Sequence, residues 1–475
     1  MRTQIENRIL DRSAVLAVIG LGYVGLPLAV GFARTGYRVI GVDLDLAKID
    51  VLTSGHSTID DIADDDLRPL VESGTFHPVA SYEGVGAADV VFICVPTPFT
   101  AMKAPDLSFV ENATLSVAGH LRRGQLVILQ STTYPGTTEE VVLPLLEATG
   151  LKVGQDFFLA FSPERIDPGH TSSAGFTVEN TPKVVGGVTP DCVRPAALLL
   201  SQMIASVYEV SSPRAAEMTK LLENTFRSVN IALVNELAIL AERMDIDIWE
   251  VIDAAKSKPY GFMPFYPGPG VGGHCIPVDP FYLSWKAREF DYYTKFIELA
   301  AEVNSEMAAH AFEKITHALN RTGTALRGAV VLVLGVAFKA NVDDARNSPA
   351  EPIIEMLLKT GATVRYHDPF VDTFRVGGDF HFRPSVEFTS QALTSANLAA
   401  ADCVVIITRH TVFDIEMIVE HSRVIVDTVN ATGSVESGRD KVIRLGAPES
   451  HQDWSVADPD LSSDVATDIE AIAGD

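Results

Sequence analysis

The chain has 475 residues, 47% of them hydrophobic and 21% charged, enough for two to four domains with sizeable cores. Its 37 basic against 62 acidic side chains leave a net charge of −25, which argues against nucleic acid and anionic membranes as partners but leaves room for a phosphorylated small ligand held by a few local cations. Four cysteines, at 94, 192, 275 and 403, stand far apart without C-x-x-C spacing, so neither a disulfide framework nor a metal site is expected, and the setting reads as reduced and cytoplasmic.

Residues 14–33 carry no charge over twenty positions, which raises the question of a membrane span. Four glycines and Pro27 interrupt the run and the strand-like "YRVIGVD" follows at once, so a strand, a tight turn and a helix are predicted instead. The turn, Gly20-Leu21-Gly22-Tyr23-Val24-Gly25, fits the G-x-G-x-x-G pattern. The first glycine permits the turn, the second lets backbone approach a pyrophosphate, and the third lets helix pack on strand. Asp43 ends the next strand, where its carboxylate would accept from ribose hydroxyls and repel a 2′-phosphate. Gly20, Gly22, Tyr23, Val24, Gly25 and Asp43 are therefore expected to bind NAD rather than NADP, with Arg38 and Lys48 nearby, each as readily a plain surface charge as a ligand.

Apolar runs at 89–98, 125–138 and 157–169 lack alternation, as in buried parallel strands, and each ends in a polar loop. Functional groups of such sheets collect at the carboxyl ends of strands, which singles out Pro96–Pro98, Ser131–Thr133 and Ser162–Arg165, with Pro96, Thr97 and Thr132 expected beside the cofactor. Residues 1–210 are thus predicted to form a dinucleotide-binding domain. From 211 a serine, Pro213 and helical apolar spacing predict a helix of about 33 residues, roughly 50 Å long, able to link domains and form a dimer seam. Lys220 and Asn224, four apart, share one face of it, where a cation and an amide together suit a transient alkoxide.

The central helical segment, 211–320, also holds "GPGVGGHCIPVDP". Gly270, Gly272 and Gly273 precede Cys275, and Pro277, Asp279 and Pro280 follow it, a setting unlike that of a thiol kept for packing. Cys94 and Cys403 sit inside apolar strands and read as core, and Cys192 has no catalytic neighbour. A thiolate at 275 beside a hydride acceptor points to oxidation through a thiohemiacetal to a thioester. Residues 321–447 repeat a strand–loop–helix rhythm without G-x-G-x-x-G. Residues 448–475 carry eight acids and no Lys or Arg and read as a solvated tail. The fold class expected is α/β: two Rossmann-like, doubly wound domains joined by a long central helix and helical linker domain.

Seven motifs, "GLGYVGLP", "VPTP", "QSTTYPGT", "SPER", "KLLENTFR", "GGHCIPVDP" and "GVAFKANVDDARNSP", together resemble the nucleotide-sugar dehydrogenases, over about residues 13–440. "SPERIDPG" and the segment around Cys275 look most like the UDP-N-acetylglucosamine 6-dehydrogenase branch. The resemblance implies a four-electron oxidation of a sugar C6 alcohol to a carboxylate by two NAD⁺. It implies that Cys275 is the nucleophile, that Asp279 and Thr132 move protons through a water, that Lys220 and Asn224 stabilise oxyanions, and that Glu164 assists thioester hydrolysis. Glu164, Arg165, Lys220, Asn224, Gly272, Lys339 and Arg346 are implied to meet the UDP-sugar. Two departures stand out. Pro168 occupies the place of a second glutamate in UDP-glucose dehydrogenases, with Asp167 beside it a poor substitute, and Val429 that of a late arginine, so that either Arg346 or a partner subunit supplies its charge or nucleotide binding is weaker than in relatives. UDP-N-acetylmannosamine and UDP-glucose remain rival substrates, and a two-electron hydroxyacid dehydrogenase or an inactive nucleotide-sugar-binding regulator remain rival functions.

Overall fold

The computed structural model describes residues 1–59, 61–100, 104–166, 175–273, 276–378 and 382–448. Cys275, Asp167, Pro168 and the acidic tail beyond 448 lie outside them.

Eight strands form the first sheet: β1 Val15–Ile19, β2 Arg38–Val42, β3 Phe76–Val79, β4 Val90–Ile93, β5 Leu126–Leu129, β6 Phe158–Phe161, β7 Lys183–Gly187 and β8 Val207–Val210, in the order β3-β2-β1-β4-β5-β6-β7-β8. Every neighbouring pair is parallel except β6 and β7. The apolar runs form strands because both faces are covered. In β1, Leu16 and Val18 enter one core and Ala17 and Ile19 the other. The uncharged stretch thus resolves into β1, the glycine turn and the helix Gly25–Arg34, and no helix among the described residues is long and apolar enough to cross a membrane.

A helix at Arg2–Leu10, unanticipated from the sequence, precedes β1 and buries Ile5 and Ile9. The long helix runs Pro213–Arg243, 31 residues, with the Ser212 hydroxyl accepting from Ala215 N and Pro213 in the first turn. It packs along a second long helix, Lys295–Arg321. Leu222, Phe226, Leu233, Leu237, Leu240 and Met244 are exposed along it.

The second sheet contains β9 Val330–Leu334, β10 Thr363–His367, β13 Cys403–Ile406, β14 Ile425–Asp427 and β15 Val442–Arg444, all parallel, in the order β10-β9-β13-β14-β15. β11 Thr373–Gly377 and β12 Ser385–Thr389 form a separate antiparallel pair. Val331 and Val333 again face one core, Leu332 and Leu334 the other. The end of this unit returns to the long helix: Glu242 accepts from Gly446 N at 2.6 Å, Trp249 Nε1 donates to Leu445 O at 2.8 Å, and Arg444 pairs with Asp247 at 2.6 Å.

Candidate active site

The glycine turn leaves β1 with Gly20 at φ +91°, where a Cβ would lie 2.6 Å from Cys94 O, and a Cβ at Gly25 would lie 1.8 Å from Gly20 O. Packing within the chain therefore requires both. Gly22 differs: a Cβ there meets nothing within 4 Å. The space beside it is open, room in which the backbone could meet a dinucleotide pyrophosphate. Asp43, just past β2, accepts from Leu21 N at 2.9 Å and Lys48 Nζ at 2.8 Å through Oδ2, and from Asp45 N at 3.0 Å through Oδ1. Burial works to raise its pKa, but Lys48 and the two backbone N–H groups outweigh it and hold the carboxyl below the usual range. Lys48 is thus the partner of Asp43 rather than a plain surface charge.

The loops after β4 and β5 reach the same edge. The Tyr282 hydroxyl donates to Thr97 O, and the Tyr282 ring meets Phe99 edge-on. Pro96 is exposed and Thr132 half-buried. The Oγ1 of the neighbouring Thr133, itself buried, has no partner.

On the long helix, Lys220 and Asn224 share one face, as their spacing predicted; that face is buried, where position alone would favour a solvated one, and Arg227 follows one turn later. Asp279 opens the helix Asp279–Ala287, fully buried against them. Asn224 Nδ2 donates to Asp279 Oδ2 at 2.5 Å, and Arg227 Nη2 donates to Asn224 Oδ1 at 2.9 Å. Arg227 so fixes which way the Asn224 amide points. Burial pushes the Asp279 carboxyl up to about 6, against the pull of Lys220, Asn224 and Arg227. A carboxyl poised there exchanges protons near neutral pH.

The glycine loop before Cys275 is clamped from the second sheet. Gly273 N donates to Arg346 O at 3.1 Å, and Asn347 Nδ2 donates to Gly273 O at 3.0 Å. A Cβ at Gly272 would fall 2.8 Å from Phe338 Cβ and 3.0 Å from Asn347 O. What comes close to this loop within the chain is the segment Phe338–Pro349, which carries the half-buried Lys339. The Arg346 guanidinium binds Asp344 at 2.5 Å and lies 5.4 Å from the Tyr23 ring centre, so the second unit touches the glycine turn of the first. Beside Val429, the cation is Arg444, whose Nη1 donates to Asn430 Oδ1 at 2.9 Å.

Glu164, three residues past β6, is ringed by donors. Oε2 accepts from Gln130 Nε2 at 3.0 Å and Lys183 Nζ at 2.7 Å, and Oε1 accepts from Arg165 N at 2.8 Å and Ile166 N at 2.9 Å. Burial would raise its pKa, yet Lys183 and these N–H groups bring it below the ordinary glutamate value. The Arg165 side chain turns instead to Glu223, at 2.5 Å, and to Pro182 O at 2.8 Å. Arg227, Gln130 and Lys183 were not singled out from the sequence. The first was legible in principle, seven residues beyond Lys220 on the same face.

Three successive family models match: the UDP-glucose/GDP-mannose dehydrogenase family's NAD binding domain over residues 14–210, its central domain over 214–306 and its UDP binding domain over 332–434. The chain is 39% identical over 358 residues to the UDP-N-acetyl-D-glucosamine 6-dehydrogenase of Pseudomonas aeruginosa, covering 75% of this chain and 83% of the relative. It is 38% identical over 357 residues to the UDP-N-acetyl-D-mannosamine dehydrogenase of Pyrococcus horikoshii, covering 75% and 84%. Among solved structures, the UDP-D-ManNAc dehydrogenase of Pyrococcus horikoshii matches with a TM-score of 0.82 and 33% identity, covering 92% of this chain and all of that one.

Proposed function

The chain belongs to the UDP-glucose/GDP-mannose dehydrogenase family and is an NAD-dependent UDP-sugar dehydrogenase, and from that premise we propose that its substrate is a UDP-N-acetylhexosamine, with N-acetylglucosamine the favoured epimer. The reaction is R–CH₂OH + 2 NAD⁺ + H₂O → R–COO⁻ + 2 NADH + 3 H⁺, serving surface polysaccharide synthesis. The observation that carries the chemistry is the buried group Lys220, Asn224 and Asp279, the last of them four residues after Cys275 in the chain. Cys275 is the proposed nucleophile, holding the sugar as a thiohemiacetal and then a thioester. Lys220 and the Asn224 amide face the developing oxyanion. Asp279 and Thr132 carry the proton through a water. NAD supplies the hydride acceptor, and the glycine turn with Asp43 is its proposed seat, with Pro96, Thr97 and Thr132 along its edge. Lys339 and Arg346 approach the UDP-sugar from the second unit, on the segment that packs against Gly272.

The preference for the glucosamine epimer rests on "SPERIDPG", on the segment around Cys275 and on the similarity to UDP-N-acetyl-D-glucosamine 6-dehydrogenases of two bacteria. A panel of UDP-sugars read by NADH absorbance tests it. UDP-N-acetylglucosamine should yield two NADH per sugar at the highest kcat/KM. A higher value for UDP-N-acetylmannosamine or UDP-glucose would reassign the substrate, one NADH per sugar would end the four-electron reading, and none across the panel would favour the regulator.

The exposed apolar stripe on the long helix supports a homodimer formed along it. The described cysteines, Cys94, Cys192 and Cys403, are all buried and unpaired, which supports a reduced, cytoplasmic setting.

A further inference from the structure

We propose that Lys183 is a positioning residue for the hydrolytic half of the reaction, holding the Glu164 carboxylate in place from the neighbouring strand. The proposal rests on the covalent reading above.

β7 is the first strand of the sheet to run against its neighbour. Its pairing sets Phe161 opposite Gly186, and continuing that register past the paired residues brings Glu164 to Lys183, which it meets by hydrogen bond. A parallel strand would have put its first residue at the far edge of the sheet. The reversal instead delivers Lys183 to the carboxyl edge, where Gln130 and Cys94 also lie. There the lysine is only 2% exposed and donates to Glu164 Oε2 at 2.7 Å and Pro163 O at 3.3 Å. With Gln130 and two backbone N–H groups, Glu164 accepts four hydrogen bonds, about the full capacity of a carboxylate. Its direction is therefore set on every side, and a water at the acyl carbon meets an oriented, ionised group once it takes the place of one of these donors.

Stability alone does not account for the lysine. A buried ion pair seldom outperforms apolar side chains of the same size, because both charges must be desolvated. Removing only the lysine leaves a buried carboxylate without its cation. Among the described residues, the other titratable and charged groups facing Glu164 are Cys94 from the loop after β4, whose thiol is itself pushed up by burial, and adjacent Arg165, whose guanidinium is committed to Glu223 on the long helix. None of them replaces the ammonium, so the carboxyl should ionise only at higher pH.

The test is Lys183→Met, assayed by rapid mixing with NAD⁺ and the best UDP-sugar of the panel. A burst of about two NADH per site should persist, because oxidation to the thioester does not use this pair. Steady turnover should fall at least tenfold and its acidic limb should move to higher pH. Lys183→Arg should restore most of both. Combined with Glu164→Gln, Lys183→Met should add no further loss. Should Lys183→Met fail to fold, Lys183→Gln keeps a donor, drops the charge and carries the same comparison. A uniform loss of kcat with an unmoved pH profile, or independent losses in the double variant, would overturn the assignment. If Glu164→Gln alone shows neither burst nor an acyl adduct by intact-protein mass, the covalent reading itself has failed, whatever Lys183 does.

Discussion

The two α/β units begin alike and end differently. Each leaves its first strand through a glycine at positive φ, Gly20 at +91° and Gly335 at +80°, whose missing Cβ makes room for a carbonyl: 2.6 Å to Cys94 O in one, 2.5 Å to Thr408 O in the other. Each places an aspartate just past its second strand, accepting from the loop that follows that glycine. Asp43 takes Leu21 N at 2.9 Å, and Asp368 takes Val336 N at 2.7 Å and Ala337 N at 2.9 Å. The outcomes part there. The side chain of Asp43 is 13% exposed, with Lys48 beside it, whereas that of Asp368 is 0% exposed, against His410 Nε2 at 3.1 Å. His410 Nδ1 accepts from Asn341 N at 3.0 Å, so Nε2 carries the proton toward Asp368 and the loop is stitched down at both ends. One frame thus serves two ends: an aspartate left open to a ligand, and an aspartate consumed in shaping a loop. In the second unit the loop displays side chains, Lys339 among them, that we propose take over recognition.

If the two units supply binding and the segment between them the chemistry, the thiol should be separable from both. Cys275→Ser should abolish acid formation, because an oxygen ester forms and hydrolyses far less readily than a thioester. NAD⁺ and the UDP-sugar should still bind, as titration calorimetry would report. Normal turnover would end the covalent mechanism, and loss of either binding would end the division between units.

Asp279→Asn probes the same segment. Its loss as a proton carrier should cost about 10²–10⁴-fold in kcat. The wild-type profile should rise with pH through about 6 as Asp279 ionises, and the variant should lack that limb. Stability should move the other way. The folded state holds the Asp279 proton up to about 6 while the unfolded chain releases it near 3.8, so this residue lowers stability as pH rises between those values. The neutral variant escapes that loss and should be more stable at neutral pH by on the order of 1–3 kcal/mol, as denaturant unfolding would show. A variant less stable at pH 7 than wild type would mean that the carboxylate is better compensated than its burial implies.

What was legible in the chain followed from how far each interaction reaches along it. The glycine turn and Asp43 lie within one strand–helix–strand unit, and Lys220 with Asn224 within one helical turn, so spacing alone placed them. Lys183 was invisible because its meeting with Glu164 comes from the reversal of β7, which no local pattern announces. The glycines before Cys275 signalled close approach, but the approaching segment, Phe338–Pro349, comes from the far end of the chain. The helix Arg2–Leu10 offers only Ile5 and Ile9 to a core, too thin an apolar stripe to stand out. The fold class needed less, since buried strands alternating with helices already require covered parallel sheets.

The sealed aspartate should reveal itself through stability. Asp368→Ala removes the acceptor for Val336 N, Ala337 N, Phe370 N, Val371 N and His410, leaving buried donors unpaired. A loss of about 3 kcal/mol or more is expected, read as a lower denaturant midpoint, with UDP-sugar affinity falling as the loop loosens. A change confined to affinity would mean that Asp368 faces the nucleotide after all and that the two units are more alike than their burial indicates.

The open aspartate should behave in the opposite way. Asp43→Ala should lower the denaturant midpoint less than Asp368→Ala does, having three donors rather than five to lose, but weaken NAD⁺ by about 1–3 kcal/mol. Two contributions are mixed in that figure. Part belongs to the ribose, and part to the glycine turn, which loses the acceptor for Leu21 N. Asp43→Asn separates them, because its amide oxygen still accepts from Leu21 N but no longer repels a phosphate. Lys48 adds a further consequence. Its ammonium lies 2.8 Å from Asp43 Oδ2, and in the alanine variant it loses that partner at the place where a 2′-phosphate would arrive. NADP⁺ should therefore gain affinity in Asp43→Ala beyond the mere removal of repulsion, and Asp43→Ala with Lys48→Ala should lose that gain. If NADP⁺ binds the single and double variants equally, Lys48 does not reach the ribose. If the ratio of NAD⁺ to NADP⁺ affinity does not move at all, Asp43 serves only the turn, as Asp368 does in its own unit.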